Sequence, residues 1–106
     1  LKDCVREADV DIVEAFTPPP MGNLSLEDAR KAWGDKFAIW LNFPETVFHY
    51  GPQELRRHTI RLLKEAAPGD RVVIGITEDM PPHLMEEGLR TITKTIRRHG
   101  KYPVRV

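Results

Sequence analysis

The sequence predicts an α/β protein built from three consecutive βα units with parallel strands. One succession recurs three times: a short apolar run, a loop carrying Pro or Gly, and a stretch of helical periodicity. The most informative run, Val72-Val73-Ile74-Gly75-Ile76, has the continuous apolar character of a strand covered on both faces. It stops at Thr77-Glu78-Asp79, just before the pair Pro81-Pro82. Ligands of such folds gather at the carboxyl ends of the strands, where loops lead into helices, so Glu78 is the first functional candidate.

Taken in order, Lys2 to Ala8 reads as the end of a helix from a unit preceding Leu1, and the missing initiator methionine fits a chain cut within that helix. Val10 to Phe16 is the first strand. The prolines of Thr17-Pro18-Pro19-Pro20-Met21-Gly22 cannot donate to a ladder and so end it. Ser25 is placed to cap a short helix that opens with Glu27 and Asp28 and stops at Gly34. Lys36 to Asn42 forms the second strand, and the connection through Val47, Phe48, His49 and Tyr50 is long enough to carry a site.

Pro52 suits a first helical turn, and the helix it opens places Leu55, Thr59, Leu62 and Ala66 on one face, with Ile60, Leu63 and Ala67 beside them. Pro68-Gly69 ends it and the third strand follows. Pro82 to His99 gives a last helix with Met85, Leu89, Ile92 and Ile96 inward and Gly100 as its stop. Glu86 and Glu87 in its first turn, and Arg97, Arg98 and His99 in its last, complement the helix dipole. Trp40 is expected to face the core or a barrel interior, Trp33 and Phe48 to pack helix on sheet, and Met80 and Met85 to fill gaps.

Composition narrows the functional classes. The chain has 106 residues, 41% of them hydrophobic and 30% charged, with a formal net charge of zero. That balance argues against a nucleic-acid or membrane surface built on concentrated positive charge. Cys4 stands alone, which excludes an internal disulfide and any Cys-x-x-Cys metal site and points to the cytoplasm. It reads as a small apolar residue. No apolar run approaches the roughly 20 residues of a membrane span. No phosphate-binding glycine motif, nucleophile elbow or triad order occurs, so hydride transfer and serine hydrolysis are disfavoured.

Three parallel strands leave two free edges. A complete eight-fold β/α barrel takes roughly 250 residues, so residues 1–106 read as one partial unit, the C-terminal third of such a barrel. Alone, a piece of this kind is expected to cover its sheet edge by forming a homo-oligomer.

Three segments carry a resemblance. Asp11-Ile12-Val13-Glu14-Ala15-Phe16-Thr17-Pro18-Pro19-Pro20-Met21-Gly22, Ile39-Trp40-Leu41-Asn42-Phe43-Pro44 and Gly75-Ile76-Thr77-Glu78-Asp79-Met80-Pro81-Pro82 resemble, in that order, the C-terminal part of the uroporphyrinogen decarboxylase superfamily. The resemblance covers essentially the whole chain and implies the sixth, seventh and eighth units of the barrel. It implies either of two chemistries on a small-molecule substrate. One is methyl transfer to or from a corrinoid partner protein, with zinc; the other is cofactor-free decarboxylation of a porphyrinogen. Where the decarboxylases carry a histidine and the methyltransferases a zinc-binding cysteine, this chain has Glu78, which favours the methyltransferase-like branch. The piece by itself is expected to be inactive.

Within this reading Glu78 is a catalytic candidate, as a general base or as an oxygen ligand to zinc. Its structural alternative, shared with Asp79, is to cap the helix that begins at Pro81 or Pro82. Asn42 matches an asparagine of the family's second segment, although Leu41 and Pro44 stand where the family often has Gly and Asp. It either orients substrate or holds its loop by local hydrogen bonds. Glu14, a carboxylate inside a strand, is the second metal or base candidate. His49 is placed to reach a barrel mouth, His83 opens the last helix, and His58 and His99 read as solvated helix positions.

Overall fold

The computed structural model describes residues 1–106. They form α1 (Lys2–Arg6), β1 (Ile12–Phe16), α2 (Leu26–Trp33), β2 (Ala38–Asn42), a 3₁₀ helix (Glu45–Tyr50), α3 (Pro52–Ala66), β3 (Val72–Gly75) and α4 (Pro82–His99). The strands make one parallel sheet in the order β1-β2-β3, as the three-unit reading requires. β1 and β2 each start two residues later than the sequence pattern indicates. Lys36 N–H still bonds to Trp33 O at 3.2 Å in the turn that closes α2, so the ladder opens only where Ile12 meets Ala38.

The helices take their predicted limits for clear local reasons. Ser25 Oγ accepts from Asp28 N–H at 3.1 Å, and Gly34 follows Trp33 with φ 55°, a left-handed stop that glycine adopts at little cost. Pro52 occupies the first turn of α3, where its missing N–H leaves nothing unpaired. Leu55, Thr59, Leu62, Leu63 and Ala66 are buried, and Thr59 Oγ1 donates to Leu55 O at 2.7 Å. Ala67 lies in the turn beyond and is exposed. The shorter α1 is held by Trp33 Nε1, which donates to Lys2 O at 2.9 Å, and Cys4 on it is exposed, not packed.

One hydrophobic cluster holds the molecule together. Leu26, Ala29 and Trp33 of α2, Leu55 and Leu62 of α3, and Ile92 of α4 all join Ile39 and Leu41 of β2. Val13, Phe16, Val72 and Ile74 pack against the same cluster. The helices therefore share one face of the sheet. Ile12, Trp40 and Val73 line the other face and are exposed, so the third strand is covered on one side only, not on both as its apolar run implied. Trp33 and Phe48 pack as expected, with Trp33 edge-on to Phe16 and Phe37 and Phe48 edge-on to Phe43. Trp40 does not enter this core.

Two expectations on the helices need correction. In α4 the buried stripe runs through Gly88, Ile92 and Thr95, while Met85 and Leu89 are exposed. The cause is Phe48: its ring lies so close to Gly88 that a Cβ there would collide with it. Close approach to a bare glycine rotates the helix away from its most apolar side. Both histidines read as solvated are partly buried: Nε2 of His99 is buried without a partner, and His58 stacks edge-on to Phe43 at 5.3 Å with its Nε2 also buried and unpartnered. Burial, reinforced by the neighbouring Arg61 and opposed by Glu65, lowers its pKa below the ordinary 6.5.

Candidate functional site at the strand ends

The carboxyl ends of the strands converge on Asn42. It is the last residue of β2, the central strand, and its side chain is completely buried. Burial of an amide without partners would cost several kcal/mol in the most apolar surroundings, and Asn42 avoids it by bonding both neighbouring loops. Its Oδ1 accepts from Thr77 N–H at 2.8 Å. Its Nδ2 donates to Thr17 Oγ1 at 3.1 Å and to Glu78 Oε1 at 3.3 Å. Because a backbone N–H can only donate, the bond from Thr77 fixes which end of the amide is oxygen.

Each partner is presented by a local device. β1 carries a bulge: Val13 pairs with Ile39 and Phe16 with Leu41, and Ala15 between them has φ 56°. A left-handed conformation at a residue with a side chain stores strain of about 1–3 kcal/mol. The bulge keeps both Val13 and Phe16 against the core and delivers Thr17 to the strand end. The following loop closes on itself through Gly22, whose N–H bonds to Pro18 O at 3.2 Å, and a Cβ at Gly22 would overlap Thr17 O. Thr17 Oγ1 donates to Ala15 O at 3.2 Å, leaving its lone pairs for Asn42. On the other side, Phe43 N–H bonds to Gly75 O at 2.8 Å, which extends the β2–β3 ladder up to the site.

The structure thus brings Asn42 and Glu78 together and leaves Glu14 apart. Glu78 is exposed and faces Asn42, so a carboxylate at the rim is oriented by a buried amide. Glu14 is exposed beside the bulge and lines, with Val13, Phe16, Thr17, Leu24 and Trp33, a cavity of about 580 Å³ along the free edge of β1. Neither acid caps α4: Pro81 precedes that helix without a side-chain hydrogen bond, which corrects the reading of Asp79 and Glu78 as caps. Glu86 also lies beyond the first turn and pairs with Arg90. His49 turns to Glu45 at 3.1 Å in the 3₁₀ helix.

Nowhere do three His, Cys, Asp or Glu side chains come together as metal ligands. Zinc takes three or four protein ligands, so the residues of this chain do not by themselves fit a zinc ion. Thr17 and Thr77 escaped the sequence reading. The only signal for Thr17 was a hydroxyl at a strand end followed by prolines that cannot extend the ladder. Thr77 enters through its backbone and had no side-chain signal.

Comparison with protein-family models, curated proteins and solved structures finds no match to this chain. No helix is long and apolar enough to cross a membrane.

Proposed function

We propose that this chain supplies the last βα units of a β/α-barrel enzyme of the uroporphyrinogen decarboxylase superfamily, working in the cytoplasm and transferring a methyl group between a small donor and a corrinoid partner protein. The reading draws on the resemblance of the three strand-end segments. One observation carries it furthest: a buried asparagine at the end of the central strand ties the loops of all three strands together and orients one carboxylate, Glu78. Barrel enzymes place their chemistry at that end of the sheet. Sequential parallel strands with helices on one face only are the arrangement of consecutive barrel units, whose other face lines the interior.

Glu78 in this scheme is the acceptor for a proton or the counter-charge for a cationic donor, and Asn42 holds one of its oxygens so that the other faces the substrate. A carboxylate at a position where the decarboxylases carry histidine favours methyl transfer. The uncovered face and free edges, with Ile12, Trp40 and Val73 exposed, support self-association wherever the remaining strands are not present to cover them.

The test uses full-length protein mixed anaerobically with cob(I)alamin and a panel of small methylated compounds, following loss of the Co(I) absorbance. Transfer from one or more donors is expected, falling about a hundredfold in Glu78→Gln, the scale of a lost acid-base group. Absence of transfer from every donor overturns methyl transfer, and release of CO₂ from a porphyrinogen by the same protein would establish the decarboxylase reading instead.

A further inference from the structure

The net charge of zero conceals a segregation. Residues 97–106 hold Arg97, Arg98, Lys101 and Arg105 and no acid, so the preceding 96 residues carry 12 Lys and Arg against 16 Asp and Glu. The segment is anchored to the fold. Val104 is buried, its N–H bonds to Pro68 O at 2.8 Å, and its side chain packs on Gly69 at the entrance to β3. The basic cluster therefore lies at the amino end of the sheet, opposite Asn42.

These cations are unspent. Elsewhere Arg30, Lys31, His49, Arg57, Arg61 and Arg90 each pair with a carboxylate, and the other unpaired cations, Lys2, Arg6, Arg56, Lys64 and Lys94, are spread over three helices instead of gathered within ten residues. Arg97, Arg98, Lys101 and Arg105 appear in no ion pair and no side-chain hydrogen bond. Complementing the dipole of α4 accounts for Arg97 and Arg98 in its last turn, but Lys101 and Arg105 lie past its end. Arg98, His99, Lys101, Tyr102 and Arg105, with two apolar residues, surround one concavity of about 370 Å³. The Nε2 atom of His99 is buried without a partner, and Tyr102 is exposed.

We propose that this concavity binds a phosphate-bearing small molecule, with Arg98, Lys101 and Arg105 on the phosphate oxygens and the Tyr102 ring along an attached planar group. Guanidinium groups match phosphate geometry with paired N–H donors, and an ammonium adds a point charge. The size is that of a small-ligand pocket and not of a track for a polymer. This site is independent of the strand-end reading.

Isothermal titration of the full chain at low salt tests it, with tripolyphosphate, ATP and a single-stranded oligonucleotide as ligands. Saturable one-to-one binding of tripolyphosphate is expected, weakened about tenfold or more by Arg98→Gln with Arg105→Gln, weakened by added salt, and unchanged in the Glu86→Gln control. Tighter binding of ATP that is lost in Tyr102→Ala supports the aromatic wall; equal affinity for the two removes Tyr102 from the site. Absence of saturable binding, or equal binding by the double variant with its circular dichroism intact, overturns the proposal. An oligonucleotide that outcompetes both ligands assigns the patch to nucleic acid and also overturns it.

Discussion

Neighbouring residues of β2 live in opposite surroundings. Ile39 and Leu41 are 3% and 0% exposed, whereas Trp40 between them is 42% exposed, flanked across the ladder by Val73 at 52%. Alternation along a strand sends successive side chains to opposite faces, and here only one face has helices to meet them. An apolar residue on this sheet is therefore not evidence of a core. The two faces share a backbone and differ only in what covers them.

The comparison is broken most directly by truncating one residue on each face. Leu41→Ala should cost about 2–5 kcal/mol, as a fully buried leucine leaves a cavity in a packed cluster. Trp40→Ala should cost clearly less in dilute protein. Urea denaturation of both variants, with sedimentation to establish that each is monomeric, gives the answer. Equal losses would mean that something already covers the bare face.

A polar residue sharpens the contrast. Asn42 points away from the helices at the end of the same strand, yet it is buried, and what covers it is hydrogen-bonded loop. Asn42→Ala removes little apolar contact but takes from Thr77 N–H its acceptor and leaves Thr17 Oγ1 with only its bond to Ala15 O. A loss of about 1–3 kcal/mol is expected from equilibrium denaturation, the cost of unpaired buried groups. A neutral substitution would show that water replaces the amide freely.

The smallest effect belongs to His58 on the covered side. Its pKa is lowered below 6.5, chiefly by burial, so in the window just below 6.5 the unfolded chain binds a proton that the folded chain does not. Stability is then intact above 6.5 and falls as the pH drops from there toward the folded-state value. The melting temperature should decrease as the pH falls below about 6.5, and the decrease should be smaller in His58→Gln, measured by circular dichroism. Identical slopes in both proteins would assign the pH response to other groups.

The helix boundaries were legible because their signals are local: Ser25 and Gly34 around α2, Pro52 at the start of α3, Pro82 and Gly100 around α4. The parallel order of the strands followed from the repeated succession of elements. Illegible were features set by a distant partner. Phe48 chose Gly88 over Met85 and Leu89 as the inner face of α4, and Phe43 drew in His58. At the site, Asn42 and Glu78 stood out as polar residues at strand ends, whereas their joining depends on a bulge at Ala15 that no sequence pattern marked. Capping by Asp79 was a sound local expectation that α4 does without.

The bonds of Asn42 also fix when the site exists. They span 25, 35 and 36 residues of sequence, so each closes only when two units have met, and the whole set only when all three have. Each helix can nucleate from neighbours within a few residues, and closing distant loops comes later because their entropy must first be overcome. Glu78 thus acquires its orientation only once the second and third units have joined. An opening that parts β3 from β2 releases this carboxylate outright, and one that parts β1 from β2 takes from Asn42 its bond to Thr17, so the carboxylate reports directly on the joining of the second and third units.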